Sequence, residues 1–489
     1  MRILNMESLT NHGNKTGRLH VAQMLDAGLD MVDPYIGANR LISRNGSKLV
    51  FNGREFEMDG DPRSGPAEYD LDSFERIIII GAAKGIQRCA VAIEEILGDY
   101  LTGGHVIGKH GDDIICKKLG VTLAGHPVPD KYCEEGCKKI FEWIKDITEK
   151  DFVITISGSG VSSLLTWPIE GVTIQDLCDI TQMMQIEKGA LTKDLNPVRV
   201  LLDRFKGGKI SRYLKKASVV NLATNDLGAN SWNPPGIRDT YEELMQYNSF
   251  LPTIADGSTF AMAVNSLKKY DVWDRVPDNI REYFINANPS DSTVGVEEYE
   301  SMNARLFKLT PRMSMIYPAV TEKAKELGYT PYMLAETIQA EASEAGKVIS
   351  SIALTVQNMG EPFKVPCILM SAGELIVTVG NEQGVGGRNQ EFCLAAALKI
   401  AGSEKIVFGA VDTDGTDGPG SFNFDGAPEC LCGAIVDGYT VPEAEKNGID
   451  INSAIKTHNT SEPLWKLGCG VHAKRSISAL DLRVVLIME

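Results

Sequence analysis

Apolar and polar positions along this chain fall into two blocks of short apolar runs separated by turns. Continuous apolar runs stand at Phe74-Glu-Arg-Ile-Ile-Ile-Ile80, at Phe152-Val-Ile-Thr-Ile-Ser157 and over 217–223. Runs of this length are the pattern of parallel strands buried on both faces. Each enters a turn rich in small residues, and helical apolar spacing follows the first over 86–97; residues 21–32 have helical spacing too. Strand–turn–helix units predict a doubly wound, mostly parallel α/β sheet with ligands at the carboxyl ends of its strands. Residues 40–70 are rich in Gly, Asn and Asp and read as a loop or hairpin excursion. A charged middle from about 256 to 354 predicts helices over 318–327 and 333–349. A smaller α/β block begins near Pro366, with strands expected at 368–371, 375–379, 405–411 and 482–487 and a helix over 390–400. The predicted organisation is a Rossmann-like α/β domain over 1–270, a helical connector over 271–365 and a C-terminal α/β domain over 366–489.

Bulk properties exclude several classes. The 489 residues suffice for two to three domains, and 43% hydrophobic with 23% charged residues is ordinary for a globular protein. A net charge of −16 argues against non-specific nucleic-acid binding, though a local site can still be basic. The ten cysteines form no disulfide framework, and the pairs Cys133/Cys137 and Cys430/Cys432 lack a second pair at zinc-site spacing, so buried or free thiols are expected. The first residues carry no apolar signal region, and no run of 18 apolar residues occurs. A cytoplasmic protein with no membrane and no nucleic-acid partner is expected; a homodimer stays open.

Two segments carry the clearest chemistry. Gly384-Val-Gly-Gly-Arg-Asn-Gln-Glu391 reads as a glycine-rich turn opening a helix, and its N–H groups together with Arg388 suit an anion. Asp412-Thr-Asp-Gly-Thr-Asp-Gly-Pro419 follows an apolar run and groups Asp412, Asp414 and Asp417, which suit a hard divalent cation or turn chemistry; the spacing is not that of an EF-hand. Phosphate with Mg2+ is the chemistry of phosphoryl transfer, so a kinase is the first reading. Lys84 closes the turn Gly81-Ala-Ala-Lys84, where a helix start disfavours a cation unless an anion binds there. The turn is neither G-x-G-x-x-G nor a P-loop. His126, in Gly125-His-Pro-Val-Pro-Asp130, is a general base or a hydrogen-bonded turn histidine. Ser157-Gly-Ser159 and the residues after it read as an anion nest or half of a nucleophile turn. Asp226 ends a strand and suits a hydroxyl base, a metal ligand or an Asx-turn.

Taken in order, these segments resemble the glycerate 2-kinase family, whose C-terminal half is called the MOFRL domain and some of whose members are named hydroxypyruvate reductase. The matching words are Gly81-Ala-Ala-Lys84, His126-Pro-Val-Pro-Asp130, Val198-Arg199 with Lys206-Gly-Gly208, and Asn225-Asp-Leu-Gly228. They continue with Pro252-Thr253 to Ser258-Thr259, Ala340-Glu-Ala-Ser-Glu344, Ser371-Ala-Gly-Glu374, Gly386-Gly-Arg-Asn-Gln-Glu391 and Thr413-Asp-Gly-Thr-Asp-Gly-Pro419. The resemblance covers roughly residues 70 to 489. It implies an ATP- and Mg2+-dependent kinase of glycerate or a related short sugar acid, with its site between two α/β domains. By that carry-over Lys84, Asp226, Arg388 and Asp414 are catalytic. Ser157, Ser159, Arg199, Lys206, Glu374 and Asn389 bind substrate or phosphate, and Asp414 and Asp417 hold the metal.

The departures point to an altered substrate, or to a non-kinase member that acts on or binds a hydroxy acid or a phosphorylated ligand. The family's K-H-L-S is Val200-Leu-Leu-Asp203, its S-G-P-T is Phe250-Leu-Pro-Thr253, and the arginine of G-E-A-R-E is Ser343. The late word G-P-T-G-T-N-V-N-D is replaced by Ala473-Lys-Arg-Ser-Ile-Ser-Ala-Leu-Asp481, where Lys474 and Arg475 are either new positive charge for the site or solvated. A dehydrogenase is a weaker reading because the dinucleotide fingerprint is missing.

Overall fold

The computed structural model describes residues 1–224, 240–309, 313–379, 382–420, 424, 426–476 and 481–489. Two compact units emerge: Pro34–Thr310, and Met1–Asp33 together with Pro311–Glu489.

In the unit 34–310 a small antiparallel sheet comes first: β1 (Ile42–Asn45), β2 (Lys48–Phe51) and β3 (Ala67–Asp70). The main sheet has six parallel strands: β4 (Arg76–Ala82), β5 (Gly103–Lys109), β6 (Gly120–Ala124), β7 (Asp151–Ser157), β8 (Ser218–Ala223) and β9 (Ala304–Lys308). Their order is β6-β5-β4-β7-β8-β9. Counted from β4, that is the doubly wound order 3-2-1-4-5-6, with the direction of winding reversing between β4 and β7. The isoleucine run of β4 serves both faces. Ile78 and Ile80 pack with Cys133, Cys137 and Ile140 of the helix Lys131–Ile144, while Ile77 and Ile79 pack with Cys89 and Ile93 of the helix Ile86–Leu97. β5 escapes a pattern reading because it opens Gly103-Gly-His: a side chain at Gly104 would overlap the Ile79 carbonyl of β4.

The second unit holds a mixed sheet of β10 (Thr330–Ala335), β11 (Cys367–Ala372), β12 (Ile406–Asp412), β13 (Gly433–Asp437), β14 (Gly470–Val471) and β15 (Asp481–Ile487), in the order β10-β11-β15-β12-β13-β14. Only β10 and β11 run parallel among the described pairings; the others are antiparallel. The helix Lys15–Met31 lies on this sheet. Gly17 and Gly28 on the helix, and Gly409 on β12, permit the close approach, since a Cβ at each would press on Val407, Leu482 and Val21 in turn. The helices Ala342–Met359 and Arg388–Ile400 pack together, and a Cβ on Gly346 would press on the Phe392 carbonyl.

The observed division corrects the expected domains. Residues 271–365 are not a separate connector: they end the first sheet with β9 and begin the second with β10. Residues 1–33 belong with the C-terminal part of the chain, because Arg2 pairs with Asp33 at 2.8 Å and donates to the Lys474 and Arg475 carbonyls, and Ile3 bridges to Ala473. The helix expected over 333–349 is instead β10 followed by a helix from Ala342, and 375–379 is no strand but a loop with one bridge at Ile376. All ten cysteines are free. Among the described residues no helix is long and apolar enough to cross a membrane.

Arg18 anchors the N-terminal helix. It is fully buried, pairs with Asp437 at 3.3 Å and donates from Nε to the Leu9 carbonyl at 2.6 Å. Removing one partner of a buried pair strands the other, so Arg18→Met is expected to lower stability by about 3 kcal/mol. A chemical denaturation midpoint equal to that of the parent would show that the N-terminal helix does not hold this unit together.

Candidate functional site

In the unit 34–310, the turns after β4 and β7 lie side by side at the reversal of winding. The Lys84 amide donates to the Ser159 carbonyl at 2.7 Å, and the Thr224 amide after β8 donates to the Ser157 carbonyl at 2.8 Å. Gly160 adopts a positive φ, and a Cβ there would press on both the His126 ring and Lys84 Cγ. The Lys84 side chain is half-buried and makes no hydrogen bond or ion pair among the described residues. His126 is in the same position, with neither ring nitrogen hydrogen-bonded among those residues. Burial, then the charges of Lys84, Lys109 and Arg199, push its pKa down to about 4. Asp130 at the end of that turn is not free: it caps the helix Lys131–Ile144 through the Tyr132 and Cys133 amides and accepts from His110 at 2.6 Å.

Arg199 and Lys206 have different fates. Arg199, on the helix Thr192–Leu201, is buried and meets only neutral acceptors: Thr181 Oγ1, the Pro127 carbonyl and Gln185 Oε1, at 3.2–3.3 Å. Burial lowers its pKa to about 10. Lys206 is buried too, but it donates to Thr166 Oγ1 at 2.7 Å and pairs with Asp203 at 3.2 Å. Asp203 also accepts from the amides of Trp167, Phe205 and Lys206, so Lys206 lies in an internal network. Asp226 lies outside the described residues.

In the other unit, the residues expected from the glycine-rich turn and the aspartate cluster do meet. Arg388 begins the helix Arg388–Ile400 and is gripped by three carboxylates: Nε by Asp481 at 2.8 Å, Nη2 by Asp412 at 2.8 Å and Nη1 by Glu374 at 3.1 Å. Asp481 is sealed from solvent, Asp412 is buried and Glu374 is exposed. Burial alone would lower the Arg388 pKa, but Asp481, then Asp412 and Glu374, outweigh it and hold the group above its ordinary value. Asp412 is raised well above the usual carboxylate range by burial and by Asp414 and Asp481, with Arg388 offsetting part of the repulsion.

The helix start holds an anion, and it is the protein's own. Asp417 accepts from the amides of Asn389 at 3.2 Å and Gln390 at 3.0 Å, and from Asn389 Nδ2 at 3.2 Å. Burial and Asp481 raise its pKa to about 6, against Arg388 and these two amides. A Cβ on Gly387 would overlap the Asp417 carboxylate, and one on Gly386 the Thr460 hydroxyl, so this glycine run is a packing requirement. The expectation that these amides face a bound anion is corrected accordingly. Asn389 is fully buried, donates to Asp481 Oδ1 at 2.9 Å and leaves its own Oδ1 without a partner among the described residues. Asp414 differs from its neighbours: Oδ1 accepts from the Thr416 amide and hydroxyl at 2.7 Å, and Oδ2 takes no part in these bonds.

Two residues that the sequence reading passed over complete this centre. Asp481 closes the segment that departs from the family pattern, and Arg483 follows two positions on. Arg483 is fully buried, donates from Nη2 to Asp481 at 2.8 Å and to the Gly373 carbonyl at 2.8 Å, and leaves Nε and Nη1 without partners among the described residues. The available signal was an acid and a base two apart in the apolar strand Asp481-Leu-Arg-Val-Val-Leu-Ile487, which puts both on one face. Arg475 is exposed and pairs with Glu429 at 2.7 Å.

The clamp predicts a stability cost. Arg388→Ala should lose about 2 to 3 kcal/mol near pH 7.5, discounted from a fully buried pair because the guanidinium is partly exposed. Without that cation the folded-state pKa of Asp412, already raised, rises further. The deficit is therefore fully present above that pKa and shrinks as pH falls through it and the acid protonates. Glu374→Gln, at the exposed partner, should change stability by under about 0.5 kcal/mol. Thermal melts at two pH values decide it, and an Arg388→Ala protein melting like the parent at both would mean the clamp does not hold these loops.

The domain of unknown function DUF4147 matches residues 20–285, and the MOFRL family matches residues 367–477. A glycerate 2-kinase from Pyrococcus horikoshii is 30% identical over 446 residues, covering 91% of each chain. A D-glycerate 2-kinase from Thermotoga maritima is 29% identical over 398 residues, covering 81% of this chain and 87% of its own. A crystal structure of a Pyrococcus horikoshii protein superposes with a TM-score of 0.75 at 26% identity, covering 96% of this chain and 98% of the other. With both halves matched and most of each relative covered, the chain belongs to the glycerate 2-kinase family of phosphotransferases.

Proposed function

We propose that this protein transfers a phosphoryl group from ATP, with Mg2+, to a hydroxyl of glycerate or a related short sugar acid. The observation that carries the reading is the Lys84 turn: a lysine without a partner among the described residues, at the carboxyl end of β4 and at the reversal of winding in a doubly wound sheet. Ligands of such sheets bind at that position. Lys84 would hold a phosphate or carboxylate oxygen and offset charge that grows during transfer.

Arg388 is held in place before any ligand arrives. Glu374 is the exposed partner of the clamp, so Nη1 is the donor that can exchange a protein carboxylate for a ligand oxygen. Asp481 and Asp412 keep the rest of the guanidinium fixed. Such fixing is what electrostatic catalysis requires of a donor. Asp226, after β8, is proposed to accept the hydroxyl proton.

Among the described residues no three His, Cys, Asp or Glu side chains are arranged as a metal cage. Mg2+ is commonly held by one or two carboxylates with water and substrate phosphates. Asp414 has the uncommitted oxygen for this, whereas Asp417 is spent on the helix start, so Asp414 is the proposed ligand and Asp417 a support. When bound, Mg2+ supplies charge neutralisation at phosphate oxygens.

A coupled assay of ADP release with ATP, Mg2+ and a panel of short sugar acids tests the reading. Glycerate or a close relative should be turned over. Lys84→Ala should cut kcat/KM by about a hundredfold or more, and it should shift stability by under about 0.5 kcal/mol because no partner is lost. Normal turnover in Lys84→Ala would remove Lys84 from the site; absence of turnover with every acid would overturn the kinase reading.

A further inference from the structure

Four nitrogen-bearing side chains from separate segments gather in the unit 34–310. Lys84 follows β4, Lys109 ends β5, His126 follows β6, and Arg199 lies on the helix Thr192–Leu201. Lys84, Lys109 and Arg199 all act on His126 electrostatically, and Arg199 donates to the carbonyl of Pro127, the next residue. None of the four makes an ion pair among the described residues. Elsewhere in the same unit Arg76, Lys206, Arg212 and Arg305 each hold a carboxylate. Of the nearby described acids, Asp130 accepts from His110 and caps its helix, and Asp112 accepts from the Lys109 amide at 3.2 Å without pairing with the Lys109 ammonium.

Among the described residues no acid pairs with this cluster, which suits it to an external anion. Arg199 is the second, independent sign. It is 5% exposed, its Nε and Nη2 meet only neutral acceptors, and Nη1 makes no hydrogen bond among the described residues. A guanidinium stays charged when buried, and an uncompensated buried charge is costly unless a ligand neutralises it.

We propose that Lys84, Lys109, His126 and Arg199 form a proton-linked anion subsite for a carboxylate, phosphate or sulfate group, in which His126 takes up one proton from solvent as the anion binds. The natural anion, a sugar-acid carboxylate or a nucleotide phosphate, rests on the function proposed above; the proton linkage does not. In the free site three cations oppose a charge on His126. A bound anion reverses that field, raises the affinity of the imidazole for a proton and gains a fourth positive contact. The sign follows: because the bound pKa lies above the free one, the anion binds more tightly as pH falls between the two, by up to about tenfold per pH unit, and independently of pH above both.

Sulfate is the probe, since it does not itself titrate near neutral pH. Calorimetric titration in two buffers of different ionisation heat should show proton uptake approaching one per sulfate within that window. His126→Gln keeps a donor but cannot take up a proton, so it should bind sulfate with no uptake and no pH dependence. Lys109→Gln, on a partly exposed residue, should weaken sulfate about five- to tenfold while keeping the uptake. A pH-independent affinity in the parent, or uptake that persists in His126→Gln, would overturn the proposal; so would sulfate binding unchanged in both variants. The two readings fail separately. Proton-linked sulfate binding in a protein that phosphorylates no acid would sink the kinase and keep the subsite, and a working kinase without uptake would do the reverse.

Discussion

Three carboxylates converge on the Arg388 guanidinium, and each arrives on a different piece of backbone. Glu374 follows β11, Asp412 ends β12 and Asp481 opens β15, strands that are neighbours in one sheet. Without a cation these acids would repel one another in a poorly hydrated place. With it, the loops at this end of the sheet are tied to the first turn of one helix. Asn389 and Gln390 extend the tie to Asp417, and Arg483 fixes Asp481 from behind. The position of every group proposed to act here follows from this one electrostatic condition.

The acids still outnumber the bases in that cluster: Glu374, Asp412, Asp414, Asp417 and Asp481 face Arg388 and Arg483. Burial first, and then this excess of acids, raises the pKa values of Asp412 and Asp417. The unit 34–310 shows the opposite imbalance, with Lys84, Lys109 and Arg199 around a histidine and no acid paired to them among the described residues. An acid-rich loop suits a hard cation, and a base-rich loop suits phosphate or carboxylate. Phosphoryl transfer calls for both environments.

Much of the fold was legible because its strands are unusually apolar. The isoleucine run of β4 and the runs of β7, β8, β12 and β15 each stand where a buried strand was expected. β5 and β10 were not legible: β5 is rich in glycine for the sake of a neighbouring backbone, and Thr-Pro-Tyr-Met-Leu-Ala of β10 runs without a break into helical spacing. The N-terminal helix was legible as a helix but not as part of the second unit. Its sequence carries the apolar stripe, while the pairing of Arg18 with Asp437 is set 419 residues away. Of the residues proposed to act, Lys84, Arg388 and Asp414 stand in turns that the sequence itself displays. Asp481 could not be paired with Arg388, because a motif read in one dimension says nothing of which strands become neighbours.

The same limit explains the word that carries Arg199 and Lys206. The resemblance assigns both residues one role, and Asp203 stands where the family pattern has a small hydroxyl. In three dimensions Asp203 neutralises Lys206 and caps its turn, while Arg199 receives no acid among the described residues. A lysine already paired inside the protein has little electrostatic attraction left for a ligand, and moving it would strand a buried carboxylate. An arginine held only by neutral acceptors keeps its full charge for an incoming anion. The pairing with Asp203 therefore leaves Lys206 neutralised, and in the proposed subsite the unpaired charge is that of Arg199.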